Sequence, residues 1–94
     1  MAVIAVQYTY SGDTALADQH RGDHRAFVRS LYDAGSMLLS GPLGGAPGAL
    51  LVMSAASEEE ALALLDQDPF LAAGVITGRE ARLWTVVTGE LPGA

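Results

Sequence analysis

His24 and Asp68 are the residues in this sequence best suited to moving a proton. A carboxylate that accepts a hydrogen bond from one imidazole nitrogen fixes the tautomer, and the other nitrogen is then free to take or give a proton near neutral pH. The chain has no cysteine, which removes thiol nucleophiles and cysteine-ligated metals. No serine sits in a nucleophile elbow, so proton transfer is favoured over a covalent intermediate. His20 stands at helical i, i+4 spacing from His24, but no glutamate follows it and no third ligand is evident. No metal and no cofactor are expected. The other reading of the same pair is structural: Asp68 before Pro69 is an acidic N-cap followed by proline at the first helical position, and His24 is a core-edge ring.

Other residues qualify as ligand contacts. Tyr8, Tyr10 and Trp84 are candidates to line a pocket for a flat molecule, although aromatic strand residues also serve sheet packing. Arg21 or Arg82 could hold a substrate carboxylate. The glycine-rich run between Gly41 and Gly48 lacks the P-loop lysine and leads into a strand, so it reads as a hairpin loop rather than a phosphate cradle.

The elements that must position these groups follow from periodicity. Val3 to Tyr10 alternates as a strand, apolar on both faces at its start. From about Asp18 to Ala34 the period becomes helical, with Phe27, Val28, Leu31 and Tyr32 as the buried stripe and Gly35 as the stop. His24 then lies on the buried side near the helix start, and Gly22 weakens helix around His20. Met37–Ser40 and Ala49–Ala55 form a hairpin, the first strand halted by Gly41-Pro42. Ser57-Glu58-Glu59-Glu60 is a capping box opening a helix to about Asp66, with Ala61, Leu62, Leu64 and Leu65 inward. A short turn of helix follows Asp68-Pro69 and ends at Gly74, and Val75 to Val87 is the last extended segment.

The order β-α-β-β-α-β predicts one α+β domain over residues 1–94, a ferredoxin-like four-stranded antiparallel sheet with two helices on one face. Helices following two parallel central strands would run the same way. The start of the first and the end of the second would then lie apart unless the Asp66–Gly74 turn folds back. Half the residues are hydrophobic and 17% are charged, which is rich in apolar residues for a small monomer. The strands are apolar on both faces and two helices cover only one, so a homodimer packed sheet to sheet, a dimeric α+β barrel, is expected. Five arginines, no lysine and a net charge of −6 exclude the cationic stripe of a nucleic-acid binder. No run approaches the roughly 18 apolar residues of a membrane span, and Met1–Val6 lacks the features of a signal peptide, so a cytoplasmic protein is expected.

Several stretches together resemble the YCII-related domain family (YciI-like proteins). They are Arg21-Gly22-Asp23-His24-Arg25-Ala26-Phe27, Gly35 to Leu43, the capped Ser57–Ala61 helix start, Asp68-Pro69-Phe70 through Gly74-Val75, and Arg82-Leu83-Trp84. They span nearly the whole chain in order. The resemblance implies a dimeric ferredoxin-like α+β barrel with a site centred on a histidine and an aspartate, which are His24 and Asp68 here, with Ser40 as a neighbour. Gly22 departs from the proline that often follows the arginine in the family. The activities attached to such proteins resemble lyase or dehalogenase reactions on small ring compounds. Two functions are therefore expected as alternatives. One is a cofactor-free lyase, dehalogenase or isomerase using His24 and Asp68, with Ser40, Arg21 and Tyr8 as substrate contacts. The other is a non-catalytic dimeric module that binds a metabolite or a partner protein.

Overall fold

A computed structural model of the chain describes residues 1–91. Strand β1 (Ala2–Tyr10) sits inside a four-stranded sheet, paired with β3 (Gly48–Ala55) on one side and β4 (Ile76–Leu83) on the other, with β2 (Met37–Pro42) outside β3. Every pairing is antiparallel. Three helices connect the strands: α1 (Thr14–Asp33), α2 (Glu58–Leu65) and the short α3 (Pro69–Ala72). This is the ferredoxin-like α+β arrangement that the element order predicts.

The central strands β1 and β3 are antiparallel, with Val6 opposite Leu51 and Ala2 opposite Ala55. The expectation that they run in parallel, and their helices with them, is therefore corrected. Each helix reverses the direction of the strand before it, so α1 and α2 run oppositely. The start of α1 and the end of α2 then fall at the same end of the sheet, and α3 is delivered directly against α1.

The alternation of β1 works as a sorting device. Ile4, Val6 and Tyr8 face the helices and are fully buried, whereas Gln7 and Thr9 point away and are exposed. They meet Leu51 and Met53 from β3, Met37 from β2, Ala61 and Leu65 from α2, and Phe70 from α3 in one core. The expected inward residues of α2 hold, with Leu62 and Leu64 at the margin of that core.

Three boundaries differ from the sequence expectation. Helix α1 starts at Thr14, four residues before Asp18, because Asp13 caps it: Asp13 Oδ1 accepts the Leu16 amide at 3.0 Å. The helix continues through Gly22, a residue that costs about 1 kcal/mol relative to alanine in a helix interior. His24 is therefore a mid-helix residue. Strand β2 runs through Gly41 to Pro42, since it is an edge strand where a missing N–H can point away from the ladder, and Pro42 still stands opposite Ala49. Strand β4 stops at Leu83 rather than Val87, because Leu83 already lies opposite Ile4 and the Trp84 amide takes the Val3 carbonyl. Almost no β1 remains to pair with anything further. At α2 the Ser57 hydroxyl accepts the Glu60 amide at 3.1 Å. The reciprocal bond from Glu60 does not form among the described residues; Glu58 instead reaches the Leu83 amide at 3.0 Å.

Among the described residues, no helix covers the other face of the sheet. Leu50 and Trp84 are exposed there, and Ala5 is half-buried. Among the described residues, no helix is long and apolar enough to cross a membrane.

Candidate functional site

Helix α2 lies on β1, β3 and β4, and buries Ala61 and Leu65 completely. Helix α1 is different. None of its twenty residues is fully buried, and its backbone comes close to β2 and α3 but to no other strand. The space left between α1 and the sheet is a cleft of about 680 Å³, walled by α1, β1, the edge strand β2 and Phe70 of α3. Ala17, Arg21, His24, Arg25, Val28 and Tyr32 face it from α1, at helical spacings of three and four.

Asp68 lies behind the cleft wall, bonded to three residues that line it: Tyr8, His24 and Phe70. Among the described residues it is the only charged side chain in the buried core, 1% exposed. A carboxylate survives there only with its lone pairs occupied, and three donors occupy them. The Phe70 amide donates to Oδ1 at 2.9 Å, which is the N-cap of α3. The Tyr8 hydroxyl donates to Oδ2 at 3.0 Å. His24 Nδ1 lies 2.8 Å from Oδ1. The capping reading and the histidine-orienting reading of Asp68 are thus compatible, because one carboxylate does both.

The local sequence explains the placement. Pro69 fixes the first turn of α3 without spending an N–H, and Gly74 closes it at φ +81°, where a side chain would be strained. Within that turn Phe70 lies flat on the His24 ring, with centroids 3.9 Å apart and planes 3° from parallel. Tyr10 meets Phe70 edge-on at 5.7 Å. The imidazole is thus gripped by a hydrogen bond at one edge and an aromatic face beside it.

An acceptor-only carboxylate requires the hydrogen on Nδ1, so neutral His24 carries its lone pair on Nε2. That atom has no hydrogen-bond partner among the described residues and is not sealed from solvent. His24 also lines the cleft, its side chain 15% exposed. The arrangement can hold a proton-accepting nitrogen at the wall of an apolar cavity.

The surrounding phenols are held neutral. Burial, reinforced by the neighbouring Asp68 charge and the hydrogen bond to it, pushes the Tyr8 phenol far above its ordinary range. Burial and Asp68 push Tyr10 up to about 12, with Arg21 opposing. The Tyr8 hydroxyl is bonded to Asp68 and its side chain is 1% exposed, while the residue also lines the cleft.

The remaining sequence candidates separate. Arg21 lines the cleft on the α1 side and is paired with Asp18. Ser40 lines it from β2, exposed and without a hydrogen bond to His24 or Asp68. Trp84 and Arg82 do not join Tyr8 and Tyr10; they lie with Ala5 and Leu50 at a shallow depression on the open sheet face. The strand phase explains this, since Arg82 stands opposite Ala5 and not opposite Tyr8. His20 is absent from the cleft wall, and no group of three or more metal-ligating side chains gathers among the described residues. Sequence reasoning missed the part played by Phe70 as the platform for His24. It also missed Arg25 and Arg29 on the cleft wall, although Arg21, Arg25 and Arg29 repeat every four residues.

The YCII-related domain model matches residues 1–85. The chain belongs to the YCII-related domain family. No curated protein matches it. Among solved structures, it resembles 5-chloro-2-hydroxyhydroquinone dehydrochlorinase (TftG) from Burkholderia phenoliruptrix AC1100, determined in complex with 2,5-dihydroxybenzoquinone. The TM-score is 0.76 at 20% identity, over 88% of this chain and 93% of that one. It also resembles a NIPSNAP family protein from Agrobacterium tumefaciens strain C58, with a TM-score of 0.54 at 15% identity, over 90% and 91% of the two chains. At these identities the likeness shows a shared fold.

Proposed function

We propose that this YCII-family protein is a cofactor-free enzyme of the lyase or dehalogenase type, acting on a small cyclic organic substrate with His24 as general acid/base. The observation that carries the reading is the buried Asp68 carboxylate, which receives Tyr8, Phe70 and His24 Nδ1 and leaves Nε2 at the cleft. A helix cap alone would need neither the Tyr8 hydroxyl nor an imidazole. The dehydrochlorinase activity in the name of the similar structure supports this chemistry.

For a hydroxylated ring bearing chlorine, the step is an elimination. Nε2 takes a proton from a ring O–H, the freed pair becomes a C=O bond, and a proton is delivered to the chlorine-bearing carbon, which becomes tetrahedral. Removal of a second O–H proton forms the second C=O bond, and the C–Cl bond breaks with its electrons on chloride. The net loss is HCl, the proton passes from the imidazolium to water, and no oxidant is required. Asp68 offsets the positive charge that develops on the His24 imidazole, and Ser40 and Arg21 are the substrate contacts at the cleft wall.

We assign the open sheet face to a second copy of this chain, packed sheet to sheet as a dimeric α+β barrel. Leu50, Trp84 and Ala5 supply the apolar surface. Sedimentation at micromolar concentration should give twice the chain mass, and a folded monomer would end that assignment.

The function is tested by chloride release from 5-chloro-2-hydroxyhydroquinone, followed with a chloride electrode. His24→Asn should lower the rate by about 10²–10⁴, the usual contribution of a positioned acid/base group. A rate unaffected by that substitution, or no release above the uncatalysed reaction, counts against the proposal. Loss of stability without any turnover to lose would favour the alternative, a dimeric module that binds a metabolite or a partner protein.

A further inference from the structure

The cleft is asymmetric in charge. Its floor and far wall are apolar or neutral, with Met37, Leu51 and Phe70 among them, whereas its α1 wall carries Arg21, Arg25 and Arg29 on successive turns. The chain has only five cationic side chains against eleven acids, and three of the five line this one cavity. A protein of net charge −6 repels anions on average, so concentrating its positive charge at one rim has a local electrostatic consequence.

The partners of these arginines set how much charge is left over. Arg21 is paired with Asp18, and Arg29 bonds Asp33 at 3.1 Å while its guanidinium lies 5.3 Å from the Tyr32 ring centre. Arg25 makes no ion pair or hydrogen bond with any described residue. Two neutralised pairs flank one uncompensated guanidinium, directly next to His24 in sequence. Guanidinium forks match carboxylate geometry, and the same charge suits an ionised ring hydroxyl.

We infer that the cleft selects cyclic substrates bearing a single negative charge, a carboxylate or ionised hydroxyl held by Arg25 while the ring lies over the apolar floor. This deepens the proposed function and rests on its reading of the cleft as the substrate site. The anionic group anchors one edge of the ring at the α1 rim, which turns the rest of it toward His24 Nε2. Arg21 and Arg29, each paired with a carboxylate, flank the anchor and add no net charge to it. Selection for the negative charge therefore belongs to Arg25 and proton transfer to His24, two adjacent residues with separable roles.

The test uses benzoate and benzamide, which share ring and shape and differ by one charge, titrated at constant low ionic strength into the ¹⁵N-labelled full chain. Wild-type protein should bind benzoate about fivefold more tightly than benzamide, the upper end for an exposed charge pair. Arg25→Gln should remove that preference and leave benzamide binding unchanged, while Arg25→Lys retains much of it. Glu59→Gln, on the exposed side of α2 and away from the cleft, should leave the preference in place. Equal affinities for the two probes, no binding of either, or a Glu59→Gln effect as large as that of Arg25→Gln would overturn the inference. His24→Asn should keep benzoate binding, so the two readings fail separately. A bound anion without chloride release removes the proposed chemistry and leaves the subsite. Chloride release with no charge preference does the reverse.

Discussion

Replacing Asp68 with asparagine keeps the shape of the side chain and changes what each of its edges can do. In the native site Oδ1 faces both the Phe70 amide at 2.9 Å and His24 Nδ1 at 2.8 Å, and Oδ2 faces the Tyr8 hydroxyl at 3.0 Å. The Phe70 N–H can only donate, so the amide oxygen of the variant must take the Oδ1 position and the NH₂ group must turn toward Tyr8. The phenol can accept from it, but its own proton is then left without a partner in a place sealed from water. An unsatisfied buried donor costs about 1–3 kcal/mol, so Asp68→Asn should destabilise by about 2 kcal/mol. At about 4–8 °C per kcal/mol for a chain of this size, the melting temperature should fall by roughly 10 °C. Tyr8→Phe removes the same contact from the other side at a similar cost. The double variant loses that contact once, and should be less destabilised than the sum of the single variants by about 1.5 kcal/mol. Urea unfolding of the four proteins measures this cycle. Histidine ¹⁵N shifts supply a second readout, because the carbonyl still faces His24 and the Nδ1–H tautomer should persist in Asp68→Asn. Additivity within about 0.5 kcal/mol, or a switch to the Nε2–H tautomer, would refute the assignment of Tyr8 and His24 to opposite oxygens of one carboxylate.

Alkaline stability should report the buried phenols. Their folded-state values lie above the ordinary value of 10, so they cost nothing below about pH 10 and stability falls as pH rises past it, where only the unfolded chain ionises them. The slope should approach about 1.4 kcal/mol per pH unit from Tyr8 with a smaller share from half-buried Tyr10, and urea midpoints between about pH 10 and 12 should fall less steeply in Tyr8→Phe. Gly48→Ala should disturb the site from a distance: a β-carbon there would lie 2.4 Å from the Tyr8 carbonyl oxygen, so β1 and β3 must part where Tyr8 is held. A loss of more than about 2 kcal/mol is expected in chemical denaturation, and a neutral substitution would contradict the close strand approach. Gly74→Ala should cost about 1–2 kcal/mol through its positive φ, and should weaken the Phe70 stack on His24, visible as a change in the His24 ring shifts.

Strand phase and caps were the legible parts of this fold. The alternation Ile4-Val6-Tyr8, the Ser57 cap and the Asp68-Pro69 start are local signals, and local hydrogen bonding decides them. The start of α1 was hidden because Leu16 is the one large apolar residue in Thr14–Ala17 and Gly22 weakens the pattern behind it. Asp13 nonetheless supplies a cap that needs only one side-chain oxygen. The end of β4 was illegible for another reason. Trp84-Thr85-Val86-Val87 has strand-forming residues, but a strand exists only where a partner offers its edge, and β1 begins at Ala2.

The relation of His24 to Asp68 lies between these cases. Their spacing of forty-four residues says nothing by itself about contact, and with α1 and α2 running the same way the two would lie apart. Antiparallel pairing of β1 with β3 removes that obstacle, because it returns the chain after α2 to the end of the sheet where α1 begins. Pro69 and Gly74 then tie α3 into one turn, and Phe70 covers the imidazole. Tyr8 reaches the same carboxylate because even-numbered β1 residues face the helices. Its role became readable only once strand phase and helix direction were known together. A one-residue slip of β1 against β3 would turn Tyr8 to the open face and strand Asp68 with one donor fewer. The register that buries Ile4 and Val6 is thus the same register that completes the site.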